Sequence, residues 1–259
     1  MIKAAFFDVD WTLYDHNQHM FIPSAIKAIK KLKKNGVKVF ICSARPYDSL
    51  KKFGMFELGI KWDGYIGSAG SIAVVGNHPV YTSLLEKEDA RKLVKFVKDN
   101  KLSAEFITPR SRILVGEYNA EIEKYYAVFA DVLPEKKRIS GRILTGALLF
   151  CTEEFDEPLK KILPDLEYYR FFETGLDVMP RLHKKGVAIK YILDYLGIHP
   201  DEAIGFGDDI QDITMKEGLE YLVCVGNGKE EVKAVADFVT KPIEEDGIEY
   251  ALQKLKLIK

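Results

Sequence analysis

The sequence predicts an α/β protein with a doubly wound, Rossmann-like parallel sheet as its core and an inserted α+β domain. Near both ends of the chain, short apolar strands alternate with amphipathic helices, which is typical of a parallel sheet covered on both faces. Between these regions the alternation gives way to hairpins and helices. We therefore expect a core of residues 1–82 plus 181–259 and an inserted domain of residues 83–180.

The opening segment supplies the first strands of the core. Its helical region keeps the apolar residues Ile26, Ile29 and Leu32 on one face and stops at Gly36. The predicted elements, in chain order, are a strand at 3–7, a helix at 24–35, strands at 37–43 and 63–68, and a hairpin at 72–82 that turns at Gly76-Asn77.

The middle segment begins with a helix that carries Ala90, Leu93, Val94 and Val97 at positions i, i+3, i+4 and i+7. The elements predicted after it are strands near 103–107 and 112–115, a helix at about 119–133, a basic loop at 134–142, and further strands and helices within 145–151, 156–163, 167–173 and 176–180.

After Pro180 the first pattern returns. A helix carries Ile189, Ile192 and Leu193 on one face. The elements predicted after it are a strand at 203–207, a helix at 209–217, a strand at 221–225 and two more helices.

Composition excludes several classes of function. Lys and Arg number 38 against 39 Asp and Glu, so the chain lacks the basic excess of a nucleic-acid or membrane-surface binder. The three cysteines are scattered singly, which favours a reducing compartment. No apolar run has the length of a signal peptide or a membrane span, so we expect a cytoplasmic protein.

Polar residues follow three of the predicted strands. Asp8 and Asp10 follow the first, Ser43 ends the second, and Asp208 with Asp209 follows the strand at 203–207. Each alone could be a turn former or a helix cap. Ligands of parallel sheets bind at the carboxyl ends of the strands, however, so these residues together predict a site.

Asp8 and Asp10 are two residues apart, so in a continuing strand their carboxylates face one side. Like charges this close need a cation or a shared proton. Oxygen ligands suit Mg²⁺, and Asp208 is the natural third ligand. The pattern therefore predicts a magnesium site.

These residues resemble the motifs of the haloacid dehalogenase superfamily of phosphatases. The matching segments, in order, are Asp8-Val9-Asp10-Trp11-Thr12-Leu13, Ser43, Lys185-Gly186 and Gly207-Asp208-Asp209-Ile210-Gln211-Asp212. The insertion at 83–180 and the tail VGNGKEEVKAVADFVTKPIEEDGI are similar to the Cof-type branch, in which the insertion is a cap that selects the substrate. The resemblance spans nearly the whole chain.

The resemblance implies a phosphatase that forms an aspartyl-phosphate. Asp8 is then the nucleophile, and Asp10 is the acid that protonates the leaving oxygen and the base that activates water. It implies Mg²⁺ held by Asp8, the backbone carbonyl of Asp10, and Asp208. The substrate is expected to be a small phosphorylated metabolite, such as a sugar phosphate, and no oligomeric state is predicted.

The resemblance also assigns residues around the phosphate. The phosphate-binding groups are the Val9 backbone N–H, Ser43, Ala44, Lys185 and Gln211. Asp212 is expected to orient Lys185 or a metal-bound water. Lys184 is a rival to Lys185, Arg45 either supports the phosphate loop or is exposed, and Asn227 is expected to lie in a tight turn.

Three positions depart from the family pattern. Trp11 stands where a small residue, usually Gly, is found, Ala69 replaces the Asn of an SNG segment, and Gln211 replaces Asn. None removes the nucleophile, the acid–base group, the lysine or a metal ligand.

Two other classes of function compete with an enzyme. A phosphoaspartate signalling protein also uses an acidic pair, a Ser/Thr and a Lys, but the Asp8-Val9-Asp10 arrangement and the large insertion argue against it. A degenerate phosphometabolite-binding protein of the same fold is suggested by Trp11, Ala69 and Gln211.

Overall fold

The computed structural model describes residues 1–128, 133–139 and 141–259, apart from the side chains of Glu135, Phe171 and Phe172. The first segment of the chain contains two helices and seven strands. They are β1 (Ala4–Phe7), β2 (Tyr14–Asp15), β3 (Met20–Phe21), α1 (Pro23–Lys34), β4 (Lys38–Cys42), α2 (Tyr47–Lys52), β5 (Gly64–Gly67), β6 (Ile72–Val75) and β7 (His78–Thr82).

The middle segment follows with α3 (Lys87–Asp99), β8 (Ser103–Ile107), β9 (Arg112–Val115), α4 (Ala120–Val128), β10 (Glu135–Lys136), β11 (Gly146–Phe150), α5 (Asp156–Ile162), β12 (Leu166–Phe172) and β13 (Gly175–Pro180). The last segment contains α6 (Lys185–Leu196), β14 (Ala203–Gly207), α7 (Ile210–Ile213), β15 (Tyr221–Cys224), α8 (Glu230–Val235), β16 (Phe238–Val239) and α9 (Gly247–Lys254).

The chain divides into two compact units. The first unit comprises Met1–Arg45, Gly54–Tyr81 and Lys184–Lys259, and the second comprises Pro46–Phe53 and Thr82–His183. Within the described residues, no helix is both long and apolar enough to cross a lipid bilayer.

The first unit is built on an eight-stranded sheet in the order β16-β15-β14-β1-β4-β5-β6-β7. Strands β16 to β5 in this order pair in parallel, and β6 pairs antiparallel to β5. The predicted α/β class is therefore confirmed. Strand β1 lies between β4 and β14, so the residues that follow it are placed at the centre of the sheet edge.

All four residues of strand β1 are buried. Because successive side chains point to opposite faces of the sheet, both faces of the strand are therefore covered. Phe6 stacks on Phe40 with ring centroids 5.0 Å apart, on the face that packs against Ile189 and Ile192 of α6. Phe7 points the other way and stacks on Phe206 at 4.7 Å. These two aromatic stacks fix the strand that carries the first motif.

The second unit has a six-stranded sheet in the order β10-β9-β8-β11-β13-β12, antiparallel except for the β10–β9 pair. One face packs against α3 through Leu93 and Val97. The other face meets Ile122 and Tyr126 of α4 over part of its area. The unit therefore has an apolar core of its own.

Several elements differ from the sequence prediction. The helix predicted at 119–133 is present over Ala120–Val128, and the rest of the predicted range, at 129–132, lies outside the described part of the chain. The helix predicted at 209–217 is a single α-turn continued by a 3₁₀ turn. Helix α2 and the short strands β2, β3, β10 and β16 were not predicted, because each is too short to show a hydrophobic period.

Candidate active site

The polar residues predicted at strand ends meet at one edge of the first sheet. Phe7, the last residue of β1, pairs with Ile41 of β4 and with Phe206 of β14. The three strands therefore end next to one another, and the residues that follow them start from adjacent positions. The parallel pairing continues for one more hydrogen bond, in which Asp8 N donates to Phe206 O at 2.9 Å. The parallel register brings Asp8, Ser43 and Asp208 to the same edge.

A buried lysine connects two of the carboxylates. Lys185 Nζ lies 2.6 Å from Asp8 Oδ1 and 2.5 Å from Asp212 Oδ1, and its side chain is only 3% exposed. Burial alone would lower the pKa of Lys185, but Asp212 and Asp8 raise it well above the usual lysine value. Lys185 is therefore a fixed positive charge beside Asp8.

The rival lysine lies elsewhere. Lys184 Nζ pairs with Glu217 at 3.2 Å, and both side chains are about one-third exposed or more. A glycine must follow Lys185 because a Cβ at Gly186 would overlap the backbone carbonyl of Thr214. The Lys-Gly pair thus places the lysine at the start of α6 against the turn after α7.

Three buried carboxylates form a cluster that fits a divalent cation. Asp8, Asp208 and Asp212 each offer an oxygen within 4.8 Å of the others. Burial raises the pKa of Asp8 and of Asp208 well above the usual aspartate value. Lys185 lowers the pKa of Asp8 in part, whereas repulsion from Asp212 raises the pKa of both carboxyls further. One lysine does not balance three carboxylates, so a hard cation suits the oxygen set.

Asp212 also acts as a structural acceptor. Its Oδ2 accepts hydrogen bonds from the backbone N–H groups of Asp208 and Asp209 at 2.9 and 3.0 Å, while Oδ1 accepts from Lys185. Thr12 Oγ1 donates to Asp208 Oδ1 at 2.9 Å. These bonds orient the carboxylates that the cluster needs.

The Asp10 carboxylate is bound by a different set of groups. Arg45 Nη2 donates to Oδ1 at 2.7 Å and Arg45 Nε donates to Oδ2 at 2.9 Å. His16 Nε2 lies 2.6 Å from Oδ1. Burial by itself would raise the pKa of Asp10, but the His16 hydrogen bond and the Arg45 guanidinium outweigh it and lower that pKa to about 2. Asp10 is therefore ionised in this arrangement.

The predicted phosphate-binding residues lie around the same edge. Val9 is buried between the two aspartates, and its carbonyl accepts from Leu13 N and Tyr14 N at 2.8 and 2.9 Å. Ser43 is fully buried, and its Oγ accepts from Arg45 N at 3.1 Å, while Ala44 beside it is exposed. Gln211 is half-buried at the start of α7, where its N–H donates to Asp209 Oδ1 at 3.4 Å.

Four residues make contacts in the structure that the sequence analysis does not predict. The sequence assigns no separate role to Thr12 or His16, and it allows Arg45 either to support the phosphate loop or to be exposed; in the structure Arg45 is buried and binds Asp10. Asn227 was expected in a turn, but its Nδ2 also donates to Trp11 O at 2.8 Å and its Oδ1 accepts from Ile243 N at 3.1 Å. A polar residue inside a motif, such as Thr12, could have been found from sequence, whereas a lone histidine in a loop carries no such signal.

Two of the unusual positions have left-handed backbone. Trp11 has φ 57° and Ala69 has φ 53°. Glycine and asparagine adopt this conformation more easily than other residues, which explains why the family pattern has Gly and Asn there. In this chain Trp11 and Ala69 adopt the left-handed conformation although it is unfavourable for both residue types.

Comparison with known proteins supports one family. The family model for haloacid dehalogenase-like hydrolases matches residues 5–252. YkrA of Bacillus subtilis (strain 168), which carries a provisional name as a phosphatase, is 33% identical and the match covers 99% of both chains.

Solved structures agree with this assignment. The subclass IIB sugar phosphatase BT4131 has a TM-score of 0.84 at 29% identity, covering 99% of this chain and 100% of that one. A protein from Geobacillus kaustophilus HTA426 has a TM-score of 0.89 at 31% identity over the whole of both chains. The chain belongs to the haloacid dehalogenase-like hydrolase family, in its Cof-type phosphatase branch.

Proposed function

We propose that this hydrolase of phosphate esters removes phosphate from a small phosphorylated metabolite through an aspartyl-phosphate at Asp8. The observation that supports this most is the contact of 2.6 Å between the buried Lys185 Nζ and Asp8 Oδ1. A phosphate monoester is an anion, so an attacking carboxylate is repelled unless positive charge lies next to it. Lys185 supplies that charge at hydrogen-bond distance from Asp8.

Attack and leaving-group release use different carboxylates. An oxygen of Asp8 attacks phosphorus, the phosphorus–ester oxygen bond breaks, and the ester oxygen leaves with a proton from the protonated form of Asp10. In the second half of the reaction Asp10 takes a proton from water, which attacks the phosphorus of the aspartyl-phosphate and restores Asp8. With a pKa of about 2, Asp10 is ionised in this arrangement, so it must take up a proton before it can act as the acid of the first step. In the second step it starts as the carboxylate that accepts the proton of the attacking water.

We propose that Mg²⁺ is held by Asp8, Asp208 and the backbone carbonyl of Asp10. Bound there, the cation would neutralise charge on the phosphoryl group and on the buried carboxylates. Asp212 then orients Lys185 and the Asp208 backbone, as its hydrogen bonds indicate. The Val9 N–H, Ser43, Ala44, Lys185 and Gln211 are proposed to contact the phosphoryl oxygens.

We propose that residues 83–180 are a cap that selects the substrate. The second unit has its own apolar core, which supports a separate role. The similarity to a sugar phosphatase favours a sugar phosphate or a similar soluble ester as substrate. A panel of phosphorylated metabolites assayed for phosphate release identifies the preferred class.

The experiment that tests the function measures phosphate release from p-nitrophenyl phosphate with Mg²⁺ and with EDTA. Turnover with Mg²⁺ alone is expected, and Asp8→Asn should abolish it while leaving the melting temperature near that of the wild type. Asp201→Asn is the matched control, since Asp201 is an exposed aspartate of the same unit. An Asp8→Asn variant within about tenfold of wild-type activity would exclude covalent catalysis by Asp8. A wild-type protein that binds phosphate esters without turnover would instead support a binding protein.

A further inference from the structure

His16 lies in a short turn whose path is fixed by its own hydrogen bonds. Strands β2 and β3 pair on either side of it, with Tyr14 opposite Phe21 and Asp15 opposite Met20. Asp15 Oδ1 accepts from Asn17 N at 2.7 Å and from Gln18 N at 3.2 Å. This is an Asx-type turn, so the backbone that carries His16 is well determined.

The imidazole is packed between aromatic rings. The Trp11 ring centroid lies 5.1 Å from that of His16 and the Tyr14 centroid lies 4.9 Å away, the latter edge to face. The His16 side chain is only 5% exposed. The rings restrict rotation of the imidazole, so its Nε2 has a defined position.

That position is used to hold Asp10. His16 Nε2 and Asp10 Oδ1 are 2.6 Å apart, and a carboxylate oxygen only accepts, so Nε2 carries the hydrogen. The terminal torsion of an aspartate is soft, with a broad distribution of angles. Arg45 contacts both oxygens but does so through a long side chain, whereas the histidine is a short ring on a fixed turn. Two donors from separate elements therefore set one rotation of the carboxylate.

We infer that His16, braced by Trp11 and Tyr14, is a positioning residue that fixes the orientation of the Asp10 carboxylate for proton transfer to the leaving group. The inference rests on the proposed role of Asp10 as acid and base. It also gives Trp11 a purpose. Trp11 departs from the family pattern and has a left-handed backbone, and its ring packs on the imidazole of His16.

The test compares leaving groups. The second-order constant kcat/KM covers the steps up to transfer of the phosphoryl group to Asp8, during which Asp10 acts as an acid. An alkyl phosphate needs that proton, whereas p-nitrophenyl phosphate releases a stable anion without it. A misplaced acid should therefore slow the alkyl ester much more than the nitrophenyl ester.

Four proteins are compared: the wild type, His16→Leu, His16→Gln and His19→Leu. Leucine removes the donor. Glutamine returns an N–H at the same number of bonds from Cβ as the imidazole Nε2. His19 is the matched control, because it is an exposed histidine of the same turn region.

We expect His16→Leu to lower kcat/KM for the alkyl phosphate by about 100-fold and for p-nitrophenyl phosphate by less than about fivefold. His16→Gln should recover about tenfold or more of the alkyl loss, and His19→Leu should leave both constants unchanged. The ratio of the two constants is measured on one preparation, so it does not depend on the fraction of folded enzyme. If His16→Leu yields no folded protein, His16→Asn, whose amide is too short to reach Asp10, takes its place.

An unchanged ratio of the two constants in the His16 variants would overturn the inference. Asp10→Asn, assayed alongside, separates this outcome from failure of the proposed function. If Asp10→Asn shows the strong dependence on leaving group and the His16 variants do not, only the role of His16 is wrong. If Asp10→Asn also shows none, the assignment of Asp10 as the acid is wrong.

Discussion

Lys184 and Lys185 are adjacent in sequence but their ammonium groups lie in opposite surroundings. Lys185 Nζ is buried between Asp8 and Asp212, whereas Lys184 Nζ pairs with Glu217 on the surface. Lys185 opens α6, and the backbone before it is extended, so consecutive side chains point apart. This arrangement provides a matched pair for mutation.

Replacing Lys185 by Met should lower kcat by about 10² to 10³-fold, because it removes preorganised positive charge beside the phosphoryl group. Lys184→Met should remain within about twofold of the wild type, since a surface ion pair contributes little. Phosphate release under saturating Mg²⁺ measures both. An equal loss of kcat in the two variants would mean that the position of Lys185 beside Asp8 is not important, and that only the total positive charge of the protein matters.

The pH dependence of the free energy of unfolding should show how much the ionised Asp10 carboxylate stabilises the folded protein. Its folded pKa is lowered to about 2, below the unfolded value near 3.9, so its contribution is present above the unfolded pKa. The contribution, on the order of 2 kcal/mol, is lost as the pH falls from about 4 through about 2. Urea unfolding without Mg²⁺ should show Asp10→Asn clearly less stable than the wild type at pH 7, with the difference shrinking toward pH 2. A difference that is constant with pH would contradict the ionised Arg45–Asp10 contact.

Thr12 should affect metal affinity through Asp208. Its hydroxyl donates to Asp208 Oδ1 at 2.9 Å and is fully buried. Thr12→Val keeps the shape and removes the donor, so Mg²⁺ affinity should fall about 10- to 100-fold. Thr12→Ser keeps the hydroxyl and should retain most of the affinity. Titration of activity with Mg²⁺ and calorimetric Mg²⁺ binding both measure this, and an unchanged affinity in Thr12→Val would show that the hydroxyl has only a packing role.

Backbone strain at Ala69 should be removable. Ala69 has φ 53°, and the left-handed region costs a non-glycine residue about 1 kcal/mol or more. Ala69→Gly should therefore raise the free energy of unfolding by about 1 kcal/mol. Ala236 is the control, because its φ of −69° is ordinary and the same change there should stabilise nothing. Urea unfolding at neutral pH measures both, and destabilisation by Ala69→Gly would show that the methyl group contributes packing that exceeds the strain.

The sequence predicted the sheet and the cluster at its edge for a physical reason. Strands such as β1, β4 and β14 are buried on both faces, so they appear as apolar runs that end in the polar residues of the site. The positions of Asp8 and Asp208 follow from that ending. Lys185 could be chosen over Lys184 because the glycine after it matched a motif.

The contacts of Asp10 could not be predicted in the same way. His16 reaches Asp10 because the chain turns back between β2 and β3, and two-residue strands show no hydrophobic period. Arg45 is followed by a proline, which indicates an extended backbone but not the direction of the guanidinium. Side-chain networks in loops depend on the path of such turns, which the hydrophobic pattern of the sequence does not specify.

The central place of β1 has a consequence for how the protein is made. Its first residue, Ala4, pairs with Lys38 of β4 on one side and with Ala203 of β14 on the other, so one neighbouring strand is near in the chain and the other is distant. On the ribosome, the edge that carries Asp8 is incomplete until β14 and the turn bearing Asp208 and Asp212 have emerged. The second unit, whose strands lie between Ser103 and Pro180, is finished earlier. Nascent chains should therefore acquire a folded insertion before they can bind metal, and a chain stopped after Pro180 should be folded in part but inert.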